Sequence, residues 1–173
     1  SRSRGLGDVY KRQQEKQTIN KISSKILVDA DACPNLVKKI LFRASIRTKI
    51  KLILIANQPI KYPNVDSIKN LVVEKVFDAA DNKILELLDK DDLVITSDIP
   101  LAADVIKNGA SALNFRGEVF TDDNIKSRLN MRDFMETMRS SGMQIKSNNP
   151  SISQNELMTF ANKLDTFLTK LGY

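Results

Sequence analysis

The chain has 173 residues, 42% of them hydrophobic and 28% charged, enough for one domain with its own core and too few for two comfortable ones. It contains no histidine and one cysteine, Cys33, which excludes His-based triads, paired-His ribonuclease chemistry, His-ligated zinc, an intramolecular disulfide and multi-cysteine zinc sites. Any catalysis must therefore run on carboxylates, hydroxyls, lysines, arginines or the one thiol, and hard oxygen donors favour magnesium, manganese or calcium over zinc or copper.

The formal net charge of +6 is front-loaded. Residues 3–13, SRGLGDVYKRQ, permit codons that spell a transposon-end sequencing adapter, so 1–13 is read as translated adapter and set aside. That segment holds Arg2, Arg4, Lys11 and Arg12 against Asp8, a net of +3, which leaves +3 for the remainder. Residues 14–24 are polar and aperiodic, so 1–24 as a whole reads as a non-native or disordered lead-in. No apolar run approaches the roughly 20 residues of a membrane helix; no membrane partner is expected, and the cytoplasm is the expected location.

From Lys25 the chain alternates β-branched runs with amphipathic stretches, the pattern of a parallel sheet with crossover helices. A first strand is expected over 26–28, then a helix from Pro34 to about Arg47, and a second strand over 51–56. After a loop over 57–64, a third strand is expected over 71–76 and a helix capped by Asp81. A fourth strand over 93–96 leads into a helix capped by Asp98 and stopped by Gly109. A weak fifth strand over 110–114 precedes a turn at Arg116 and Gly117, a helix from near Thr121 and an amphipathic stretch over 131–139. After a linker at 147–150, Ser153 and Glu156 form a capping box for a last helix, whose stripe of Leu157, Phe160, Leu164, Phe167, Leu168 and Leu171 must pack on this domain or on a second copy. The expected division is a 25–142 α/β domain, followed by a linker and an amphipathic helix over 143–173.

Three strands end in acids: Asp29 and Asp31 after the first, Asp78 and Asp81 after the third, Asp98 after the fourth. In a doubly wound sheet these ends share one edge, where ligands bind, and gathered like charges call for a cation. Helix capping is the competing explanation for Asp81 and Asp98 taken singly. It fails for Asp29, which lies too far upstream of Pro34. Thr96 and Ser97 can bind a phosphate oxygen or close a turn, and Asn57 can join the site or shape its loop. Arg116 and Arg132 are candidate phosphate contacts with no distinguishing spacing. Cys33 reads as a small buried filler.

The segments VDADACP (28–34), IANQ (55–58), FDAADNKI (77–84), VITSDIPLA (94–102), ALNFRGE (112–118) and MRDFMETMRSSG (131–142) together resemble the YaiI/YqxD family, in order, from about residue 26 to 171. That family is similar to PIN-like and NYN ribonuclease folds. The resemblance implies a three-layer α/β/α PIN-like domain with a mostly parallel sheet of about five strands and extra C-terminal helices. It also implies metal-binding aspartates at the ends of the first and fourth strands: Asp29 and Asp98 as ligands of Mg2+ or Mn2+, and Asp31, Asp78 and Asp81 as supporting acids, with Asp31 a third candidate ligand. One departure is that Asp98 is followed by Ile99, Pro100 and Leu101, where active members of the wider group often carry a second acid.

The expected function is a divalent-metal-dependent phosphodiesterase, RNase-like, acting on RNA or another nucleic acid. A haloacid-dehalogenase-like phosphatase is the enzymatic alternative, because D-x-D after an apolar strand also opens that class. A non-catalytic nucleic-acid- or protein-binding module with a vestigial metal site is the third reading. A homodimer stays open through the final helix.

Overall fold

A computed structural model describes residues 24–144 and 150–173. The expected lead-in, except Ser24, and most of the expected 147–150 linker lie outside the described residues. Six strands form one sheet: β1 (Lys25–Asp29), β2 (Lys51–Ala56), β3 (Ile68–Val72), β4 (Leu93–Ile95), β5 (Ser111–Leu113) and β6 (Val119–Phe120). Among the described residues, five helices accompany them: α1 (Asn35–Thr48), α2 (Ala79–Leu87), α3 (Ile99–Lys107), α4 (Asp122–Ser140) and α5 (Gln154–Lys170). The order across the sheet is β3-β2-β1-β4-β5-β6, parallel except for β6. β1 therefore sits centrally, with the chain winding outward first through β2 and later through β4.

Central position explains the composition of β1. With helices on both faces, alternate residues enter different cores and all must be apolar. Ile26 and Val28 pack with Val37 and Leu41 of α1 and with Phe160, Leu164 and Leu168 of α5. Leu27, on the other face, packs with Ile84 of α2, Leu101 and Val105 of α3, and Ile125 of α4. The α5 stripe is thus covered by its own chain. Both Ser153 and Glu156 make their capping-box bonds.

α5 is also held from below by the β5–β6 turn. Gly117 has φ +92, and a Cβ there would lie 2.6 Å from the Phe160 backbone nitrogen. Next to it, Arg116 Nη1 donates to both Glu156 carboxylate oxygens at 2.7 Å. At the amino-terminal edge of the sheet, fully buried Asp92 accepts from the Lys25 backbone N–H at 3.0 Å and from Lys25 Nζ at 2.6 Å.

Four expectations change. The third strand runs over Ile68–Val72 instead of 71–76. Ile68 is the residue buried against Leu52, and Asn70 is accommodated in this edge strand by bonding the Leu54 carbonyl and the Ile60 N–H. Helix α2 starts at Ala79, so Asp81 lies in its first turn and Asp78 takes the cap position. A sixth strand, β6, pairs antiparallel with β5; its two residues are too few to show a period. Finally, the helix from Thr121 and the stretch over 131–139 are one helix, α4.

Candidate active site

The winding direction reverses between β1 and β4, which opens a crevice beyond their carboxyl ends. Asp29 is the last residue of β1, and Thr96 follows β4 directly. Thr96 is fully buried; its hydroxyl donates to Asp29 Oδ2 at 3.0 Å and accepts from the Asp98 backbone N–H at 3.0 Å. One hydroxyl therefore orients acids from two adjacent strand ends. Asp98 also caps α3, its Oδ1 accepting from the Leu101 N–H at 3.0 Å. Capping uses one carboxylate oxygen and is compatible with a place in the site.

Asp31 is exposed in the turn after β1, where its carboxylate accepts from the Asn57 backbone N–H at 2.9 and 3.2 Å and braces that turn against the end of β2. Asp78 has φ 62, a left-handed conformation that costs a non-glycine residue about 1 kcal/mol. Its side chain makes no capping bond. All five aspartates line one cavity of about 250 Å³, together with Asn57. The apolar part of the lining is Val73, Val76 and Phe77 from the β3–α2 loop and Ala79 and Ala80 from the first turn of α2, with Glu74 beside them. Among the described residues, no lysine or arginine lines the cavity.

Burial and crowding show in the acids. Burial pushes the Asp81 carboxyl up to about 6, with further contributions from the charges of Asp98, Asp29, Asp78 and Asp104. Asp29 is also raised, chiefly by burial; the Thr96 hydrogen bond works against this, while the charges of Asp98 and Asp31 add to it. Cys33 is a buried thiol pushed up to about 12 by burial, which keeps it protonated and inert at neutral pH.

The other sequence candidates fall elsewhere. Ser97 and Arg116 line a separate cavity of about 540 Å³ with Pro34, Phe115 and Ile152. The Arg116 guanidinium is engaged there by Glu156 and the Pro150 carbonyl. Arg132 is exposed on α4, where it faces Glu136 at 3.7 Å. A larger cavity of about 590 Å³ lies between the β5–β6 edge and α5, with a single acid, Asp91, in its wall. Size therefore does not mark the site; the convergence of acids at the switch point does. Val76 falls in the expected 71–76 strand and Phe77 just after it, so neither stood out in the sequence as a residue of this cavity. Their position just before a cluster of acids was the available signal.

Among the described residues, no three acidic or thiol side chains are already drawn into a closed metal cage. The donor set nonetheless suits a hard cation that keeps much of its water, since Mg2+ is commonly held by one or two carboxylates. The charges of neighbouring aspartates, which add to the larger effect of burial in raising the Asp29 and Asp81 carboxyls, are the excess such a cation relieves.

Fold and site together define a doubly wound, three-layer α/β/α protein with an acidic crevice at its switch point. The chain belongs to the YaiI/YqxD family of uncharacterised bacterial proteins, whose model matches residues 27–170. It is 54% identical over 144 residues to a UPF0178 protein of Alkalilimnicola ehrlichii, covering 83% of this chain and 97% of the relative. UPF0178 proteins of Yersinia enterocolitica and Yersinia pestis are also 54% identical, with 83% of this chain and 94% of each relative covered. No solved structure matches. No described helix is long and apolar enough to cross a membrane.

Proposed function

We propose that this protein is a Mg2+- or Mn2+-dependent phosphodiesterase that cleaves RNA or another nucleic acid. The observation that carries this reading is the Thr96-centred coupling of Asp29 to Asp98 at the switch point, with three more aspartates around the same cavity. Asp29 and Asp98 are the proposed cation ligands, with Asp31 adjacent. When bound, the cation offsets charge on the phosphodiester oxygens and acidifies a water. Asp81, with a carboxyl near 6, is suited to orient that water and take its proton near neutral pH. Thr96 fixes the Asp29 carboxylate, and Asp31 ties the ligand-bearing turn to β2 through Asn57.

The phosphatase alternative needs a cation from the protein, typically a lysine, beside the nucleophilic aspartate, and the cavity wall has none among the described residues. The two routes also differ in covalency, because only the phosphatase forms an aspartyl-phosphate. Incubating the protein with Mn2+ and single-stranded RNA is expected to give cleavage that EDTA and Asp98→Asn both abolish, with no phosphorylated protein. Full activity in Asp98→Asn, or phosphate trapped on Asp29, would overturn the assignment.

A further inference from the structure

The acidic cavity has two unlike kinds of lining residue, acidic and apolar, and only the first is explained by a metal. On the β3–α2 loop side, Phe77 is 91% exposed and Val76 63% exposed. Both border the cavity that Asp29 and Asp98 line. A fully solvated phenylalanine gains nothing for folding, since its ring buries almost no area. The backbone beside it is not relaxed either: Asp78 has φ 62. The loop thus presents an aromatic face and a carboxylate side by side.

We infer that Phe77 is a stacking platform for a nucleobase, so that the site takes single-stranded rather than duplex nucleic acid. A nucleotide has an anionic phosphate and a flat aromatic base joined by a sugar, and the two kinds of lining match those halves. Aspartates with a divalent cation receive the phosphate, and the exposed ring receives the base. A base paired within a duplex is already stacked and cannot turn its face to Phe77. A protein partner would use the apolar residues but gives no role to the five aspartates that line the same cavity. The inference rests on the proposed phosphodiesterase reading and specifies its substrate.

The chain contains no tryptophan, so Phe77→Trp creates a single tryptophan at the platform that can be excited apart from the three tyrosines. With Mg2+ present, a phosphorothioate oligoadenylate is expected to quench its emission, as RNA or DNA, while the same sequence in a duplex leaves it largely unchanged. In cleavage assays, Phe77→Ala is expected to raise KM for single strands by about tenfold with little change in kcat, and Phe77→Trp to restore it. Because Phe77 is exposed, neither substitution should move the melting temperature. Unquenched emission, equal quenching by duplex, or an unchanged KM would overturn the inference even in a protein that cleaves RNA. Conversely, if the wild-type protein cleaves no nucleic acid, the phosphodiesterase reading falls, and quenching by single strands alone would still uphold the platform.

Discussion

Thr96 shows how one side chain can set the properties of a site it does not line. Its hydroxyl spends its proton on Asp29 and a lone pair on the Asp98 N–H. Thr96→Val removes both bonds at nearly constant shape. Asp29 then loses the hydrogen bond that opposes burial, and its carboxyl rises further. The expected result is a 10- to 100-fold weaker Mn2+ affinity by titration calorimetry, roughly the effect of losing a partner that orients a ligand, with Thr96→Ser close to wild type. Asp81 allows a test by pH. Its folded-state carboxyl lies near 6, above the 3.8 of the unfolded chain, so the native state binds the extra proton between those values and stability falls as pH rises through them. In metal-free protein, Asp81→Asn should melt above wild type at pH 7, with the gain vanishing below about pH 4. Added Mg2+ should stabilise wild type more than the variant. The place of Asp29 at the carboxyl edge was legible in the sequence, because the apolar strand that ends on it must run through the core. The tie from Thr96 was not, since it depends on β1 and β4 lying side by side across 67 residues of sequence separation.

Among the elements, those with clear punctuation were legible and those at sheet edges were not. Pro34, Asp98, Thr121 and Ser153 each mark a helix start, and the helices begin where expected from them. β3 shifted because an edge strand accepts Lys69 and Asn70 among its residues, while the apolar 71–76 run spills into the loop that walls the site. Arg116 looked like a phosphate contact but serves to attach α5, a role set by a residue 40 positions away. Gly117 belongs to the same attachment. Gly117→Ala adds a methyl where backbone already lies at 2.6 Å and demands a positive φ, so it is expected to destabilise by more than about 2 kcal/mol in urea melts. The damage should be greatest around α5, read by faster amide exchange in Phe160 and Leu164 than in β1.

For the molecule as a whole, the two edges of the sheet carry opposite kinds of charge economy. The carboxyl edge gathers acids in a cavity that no lysine or arginine among the described residues lines, and the amino edge buries Asp92 with its partner in place: Lys25 offers both its backbone N–H and its ammonium. Burial alone would lower the Lys25 pKa, but hydrogen bonds and charge from Asp89 and Asp92 outweigh it and raise the value. Asp92→Ala leaves that ammonium partly buried with only exposed Asp89 and is expected to cost about 3–5 kcal/mol by chemical denaturation. Mn2+ affinity of the folded fraction should be unchanged, because the pair lies at the far end of β1 from Asp29. The alternation of strands and helices made the three-layer architecture readable, since each crossover helix must cover a face of a parallel sheet. The covering of α5 was not readable, because an amphipathic stripe reports that a partner exists without saying which.

Asp29 and Asp98 are the two acids proposed to hold a divalent cation jointly. Crystals soaked in millimolar MnCl2 and measured at the manganese absorption edge test this directly. An anomalous peak is expected between these two carboxylates, at roughly 2.0–2.6 Å from an oxygen of each, the span of hard-cation carboxylate ligation. No peak there, or manganese bound only at acids outside the crevice, would contradict it.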